Sequence, residues 1–165
     1  MREGLIPLCV RQVLDAVSAA NRQSPTSHTW SVKMSYLEIY NETIGDLLSG
    51  QTNLQMFEKK GGGLHVQDLR EEVVTDWKRA DVLLQAGDEN KHVGCTLHND
   101  KSSRAHTVFK LQVDVNRPSG EGLSFSSELN IVDLAGSERQ NAHVRMPGTS
   151  SVRREEGGHI NKSLL

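Results

Sequence analysis

Cysteine is scarce in this chain: Cys9 and Cys95 are the only two among 165 residues. Two isolated thiols exclude a disulfide-stapled scaffold and a cysteine-built zinc site, and they suit a reducing cytosol. Aromatic residues are few as well, at 4%, and Trp30 and Trp77 read as core residues rather than ligand platforms. No run of apolar residues approaches the ~18 to 20 that a membrane-spanning helix needs. No charged start leads into an apolar core and a small-residue cleavage site, which argues against a secretory signal. A formal net charge of -2 excludes a globally basic nucleic-acid binder. The length suits one domain of ordinary size or a piece of a larger one.

What charge there is lies unevenly. Arg139, Arg145, Arg153, Arg154 and Lys162 face only Glu155 and Glu156 across residues 139–165, for a net of +3, while the rest of the chain carries -5. A basic end on an acidic body suits an acidic partner, and on charge alone it equally suits a solvated loop.

Hydrophobic spacing predicts alternating helices and strands. Gly4 and Pro7 open a helical pattern in which Ile6, Cys9 or Val10, Val13, Val17 and Ala20 form one stripe. Residues 21–28 are polar, with Ser24-Pro25, and predict a loop. From Thr29 to Tyr40 the pattern is extended: Trp30, Val32, Met34 and Tyr36 alternate with polar residues, and Leu37 and Ile39 then take the other parity. A strand apolar on both faces belongs inside a covered sheet. Ile44, Leu47 and Leu48 predict a short helical turn, and residues 54–58 and 64–74 predict short strands around Gly61-Gly62-Gly63. Thr75 or Asp76 can cap a helix with Trp77, Ala80, Leu83, Leu84 and Gly87 on its apolar side. Two further strands, 106–115 and 123–134, flank a turn containing Pro118, Gly120 and Gly122. Residues 139–158 lack periodicity and predict a long mobile loop, and a helix begins near 159. The class is α/β with a mixed central sheet flanked by helices. A first helix starting almost at Met1 and a last one cut short give the chain the look of a fragment.

Two polar stretches carry candidate chemistry. Asp133-Leu134-Ala135-Gly136-Ser137-Glu138 follows the apolar pair Ile131-Val132, read as the end of a buried strand. An Asp there can hold Mg²⁺ through water, as the second acidic element of P-loop nucleotide hydrolases does. A Gly three residues on lets a backbone N–H approach a terminal phosphate. D-x-x-G is also an ordinary strand-to-loop turn. In Asn99-Asp100-Lys101-Ser102-Ser103-Arg104-Ala105-His106, adjacent hydroxyls beside a guanidinium suit phosphate oxygens and a metal's water shell, and a plain polar loop fits too.

Geometry joins the two. In an antiparallel hairpin centred near Gly120, His106 lies opposite Leu134, so the loops beyond them emerge side by side at one sheet end. Arg104 and Glu138 can then pair across a pocket when both loops close on a nucleotide, which would make the pair a latch.

These stretches occur in order with Ser35-Tyr36-Leu37-Glu38-Ile39-Tyr40-Asn41-Glu42 upstream and Ile160-Asn161-Lys162-Ser163-Leu164 downstream. The ordered set closely resembles the kinesin motor domain over essentially the whole chain, from Gly4-Leu5-Ile6-Pro7 to the last residue. The resemblance implies an incomplete P-loop NTPase-type motor core spanning residues 1–165, belonging to an ATP-driven microtubule motor. It implies that Asn99, Ser102 and Ser103 form a first switch contacting the γ-phosphate and the Mg²⁺ shell. It implies that Arg104 pairs with Glu138, that Asp133 contacts the metal's water and that Gly136 contacts the γ-phosphate. Asn161 and Lys162 would begin the helix that docks on tubulin, and Arg153 and Arg154 would add microtubule contacts weakened by salt. ATP and Mg²⁺ are the implied cofactors, microtubules the implied partner, and the cytoplasmic cytoskeleton the implied location.

The sequence departs from the family in three places. Ala105 stands where the family usually has Ser, a change expected to be tolerated. Residues 139–154 match poorly. No G-x-x-x-x-G-K-[ST] occurs: Gly61-Gly62-Gly63 runs into Leu64 and His65, and Lys162-Ser163 follows Asn161. In the family that loop lies upstream of the position of Gly4, so these residues alone are expected to bind ATP very weakly or not at all. Two alternatives remain at this point: a non-catalytic microtubule-binding module derived from a degenerate motor and, ranked last, an unrelated switch NTPase.

Overall fold

The computed structural model describes residues 4–23, 28–93, 105–116 and 125–135. Helix α1, Leu5–Gln23, begins with Gly4 accepting the N–H of Leu8 and with Pro7 in the first turn, where its missing N–H leaves no intrahelical acceptor unpaired. Val10 and Leu14 are its buried side chains, with Ile6, Val13 and Val17 packed beside them. The helix runs into the stretch expected as a loop. Asn21 is helical, and its amide exchanges two hydrogen bonds with the backbone of Trp30, donating to the carbonyl at 2.9 Å and accepting from the N–H at 2.8 Å. That side chain bridges the helix end to the first strand, a contact that hydrophobic spacing does not signal.

Strand β1, Thr29–Tyr40, is the centre of the sheet and has the span its alternation predicts. All eleven residues of β7, His106–Asn116, pair with it antiparallel, and β8, Phe125–Asp133, adds to the far side of β7. On the other edge of β1, β2 (Thr43–Asp46) pairs with residues 37–40 and β6 (Glu72–Val74) with residues 32–34. β3, Thr52–Leu54, extends the sheet from β2. The predicted helical turn at Ile44 is instead this β2 hairpin. Tyr40 pairs with Thr43, so Asn41 and Glu42 form a two-residue connection, both at positive φ (50° and 60°), as a type I′ turn requires. Leu47 and Leu48 lie in the turn beyond β2 and are buried.

β4, Met56–Glu58, and β5, Leu64–Val66, form a separate exposed hairpin. Asp76 caps α2, Trp77–Val93, by accepting the N–H of Arg79 at 2.9 Å, and that bond holds its carboxyl below the usual range. Ala80, Leu83 and Leu84 of α2 join Val10 and Leu14 of α1 in one core over Val32, Met34, Tyr36, Val74, Phe109 and Leu111. Cross-strand pairing puts these strand residues on one face of the sheet, so both helices cover that face. The α/β class and helix-flanked sheet therefore hold, with each ladder among the described residues antiparallel.

β8 differs from its expectation as a buried strand: Val132 is 52% and Leu134 60% exposed. The reason is position. Among the described residues β8 pairs on one edge alone, and the helices sit over β1 and β7.

Candidate functional site

The end of the sheet where β7 begins and β8 finishes is built by register. Glu38, Thr107 and Asp133 form one row across β1, β7 and β8, and Ile39 faces His106 one step further. The pairing Thr107↔Asp133 is the register expected from a hairpin centred near Gly120, and the ladder ends there, one step short of the expected His106–Leu134 pair. Beyond the ladder, the N–H of Ala135 donates to Nδ1 of His106 at 3.0 Å, and both residues are buried. An N–H donates and cannot accept, so Nδ1 carries no proton in this arrangement.

Tyr36 lies beneath this row, its ring edge-on to Phe109 at 5.6 Å. Burial raises the Tyr36 phenol pKa above its ordinary value. Nearby Asp88, Asp133 and Glu38 push the same way, while a hydrogen bond with Thr107 opposes them. Asp133 and Asp88 are exposed and Glu38 is half-buried in this acidic surrounding of a buried phenol.

Among the described residues no group of three or more His, Cys, Asp or Glu could hold a metal by itself. Mg²⁺ keeps several waters and takes one or two carboxylates, so a single exposed carboxylate at a strand end fits an outer contact with it. Of the site residues named from sequence, Asp133 is the one described. Asn99, Ser102, Ser103, Arg104, Gly136, Glu138, Arg153, Arg154, Asn161 and Lys162 lie outside the described residues, as do the turn near Gly120, the loop at 139–158 and the helix near 159. Ala105 is buried, which accounts for an alanine there: a methyl needs no hydrogen-bond partner.

Sequence reasoning missed two polar anchors. Asp46, 1% exposed, accepts from Leu48 N at 2.8 Å, Ser49 Oγ at 2.7 Å and Arg70 N at 2.9 Å. The signal available was local: an Asp followed by Ser and Gly three and four residues on suits an Asx-type turn. Asn90 of α2 donates to the carbonyl of Leu47 at 2.6 Å, tying the helix to the same turn.

The described residues form an α/β core, a sheet with two helices on one face. The sequence matches the kinesin motor domain over residues 1–165, and the chain belongs to that family. It is 40% identical to "Kinesin-like protein KIN-7L" of Oryza sativa subsp. japonica, over 98% of this chain and 24% of that protein. It is 38% identical to "Kinesin-related protein 4" of Dictyostelium discoideum, over 98% of this chain and 8% of that one. Among solved structures, a fast kinesin superposes with a TM-score of 0.79 at 32% identity, covering 96% of this chain and 43% of that one. The motor domain of the Kar3-like kinesin from Ashbya gossypii superposes with a TM-score of 0.72 at 26% identity, covering 98% and 44%. The chain therefore spans a quarter or less of the length of these two curated relatives. No described helix is long and apolar enough to cross a membrane.

Proposed function

We propose that these residues are the γ-phosphate-sensing part of an ATP-driven microtubule motor of the cytoplasmic cytoskeleton. The phosphate-gripping loop and the rest of the motor are supplied by sequence outside residues 1–165. Asn99, Ser102, Ser103 and Gly136 contact the terminal phosphate of ATP, and Ser103 and Asp133 hold the water shell of Mg²⁺. Bound Mg²⁺ supplies charge neutralisation on the phosphates. Arg104 and Glu138 pair as the two loops close, orienting the reacting water and excluding bulk solvent. Arg153, Arg154, Asn161 and Lys162 meet the acidic tubulin surface.

The observation that carries this is the β7–β8 register. It brings Ala105 and Ala135 to one sheet end. Arg104 is one residue from the first and Glu138 three from the second, and a chain reaches about 3.3–3.6 Å per residue, so both tethers are short.

The test is Glu138→Ala in the full-length protein. Microtubule-stimulated ATP turnover should be abolished, and normal turnover would overturn the latch. Microtubule binding by a wild-type protein that turns over no ATP would identify a degenerate, non-catalytic motor instead.

A further inference from the structure

His106 has no part in the roles assigned above, yet its side chain bonds the two loop-bearing strands to each other beyond their ladder. We infer that His106 is a positioning residue: its imidazole Nδ1 registers the backbone entering the 136–138 segment against the backbone leaving the 99–104 segment.

Three observations converge. The bond from Ala135 N is 3.0 Å long and joins positions 29 apart in sequence. His106 and Ala135 are 4% and 7% exposed, so water competes poorly for that N–H. The β7–β8 ladder closes with Thr107↔Asp133, and the contact lies just past it. A ladder bond runs between backbones and tolerates almost any residue type. This one needs an acceptor at a single side-chain position, so residue type controls it.

The chemistry predicts which replacements keep the contact. Asn carries Oδ1 at the same number of bonds from Cα as Nδ1 of His, so it can accept from Ala135. Phe fills the ring volume and accepts nothing. Gln moves its carbonyl one bond outward. A histidine that merely filled the core would tolerate Phe at least as well as Asn.

The kinetic consequence rests on the motor function proposed above, but the bond itself does not, so two readouts are taken on the full-length protein. The first is amide hydrogen exchange at Ala135, with Phe109 and Leu111 as internal controls of folding. His106→Phe should accelerate Ala135 exchange by about fivefold or more, the worth of one hydrogen bond, while His106→Asn leaves it near wild type. Unchanged protection in His106→Phe would overturn the inference. If the controls also lose protection in that variant, His106→Gln is read in its place by the same criterion.

The second readout is microtubule-stimulated turnover. Misplacing a loop should lower kcat about ten- to a hundredfold in His106→Phe, leaving KM for ATP close to wild type, with recovery in His106→Asn. Equal losses in Phe and Asn, or none in either, would overturn positioning. A wild-type protein with no ATP turnover would sink the motor function alone and leave the Ala135 exchange result to decide the bond.

Discussion

Gly87 lies against the ring of Tyr36 so closely that a Cβ on it would sit 2.7 Å from Tyr36 Cδ1 and 3.2 Å from Cε1. The contact lets α2 approach β1 beneath the sheet end that carries Asp133, and Tyr36 is 4% exposed with no room to swing away. Two effects compete in Gly87→Ala. Helix propensity favours alanine by up to about 1 kcal/mol, whereas overpacking costs typically about 1–3 kcal/mol. The clash wins, so Gly87→Ala should lower stability by about 1–2 kcal/mol in urea unfolding. The cost should shrink in a Tyr36→Leu background, and equal costs in both backgrounds would mean the ring is not the obstacle.

Asp46 holds the turn after β2 by four described hydrogen bonds, from Leu48 N, Ser49 N, Ser49 Oγ and Arg70 N, and is almost completely buried. Asp46→Ala should cost about 3 kcal/mol or more, because hydrogen bonds to a charged acceptor are lost while the N–H groups of Leu48 and Arg70 stay behind. Denaturant midpoints measure this. A loss below about 1 kcal/mol would show that the turn reorganises and re-pairs its donors.

Lys33 and Asp114 form a 2.9 Å ion pair on the face of the sheet away from the helix-covered core. Hydrogen bonds from Gln112 and then Lys33 hold the Asp114 carboxyl down at about 2, against desolvation. Because the folded value is depressed, its stabilisation is present above about pH 4, the unfolded value, and is lost as pH falls towards 2. Lys33 is raised, mainly by its hydrogen bond to Asp114, so its share is intact below the unfolded lysine value and fades only as pH rises beyond it. Lys33→Met should raise the Asp114 pKa part of the way towards the ordinary value, with Gln112 holding the remainder. An NMR titration of the carboxyl carbon reads this directly, and an unmoved pKa would deny the pair any influence.

Asp133→Asn, tested in the full-length protein, should raise the Mg²⁺ concentration for half-maximal ATP turnover by roughly ten- to a hundredfold, the usual effect of removing an outer-sphere metal partner. Thermal stability should hardly change, because the side chain is exposed. An unaltered Mg²⁺ dependence would remove Asp133 from the metal's surroundings.

Strand β1, the apolar side of α2 and the β7–β8 register were legible because each rests on a local rule: period two, period 3.6 and the symmetry of a hairpin about its turn. The counting that set His106 opposite Leu134 needed no tertiary knowledge. The residues that carry the family resemblance were likewise legible, since they form contiguous motifs in a fixed order. Other features depended on contacts between distant segments. The side chain of Asn21 could be seen to close onto Trp30 only once β1 had docked against α1. Ile44 belongs to a strand because β1 offers it a pairing edge, which outweighs the helical spacing of Ile44, Leu47 and Leu48. Val132 and Leu134 are apolar by sequence, but exposure depends on which neighbours arrive, and β8 receives a partner on one side among the described residues. Local periodicity thus determined the elements and their register. Tertiary packing alone decided which polar side chains became anchors, because a buried N–H takes whatever acceptor the fold brings within reach.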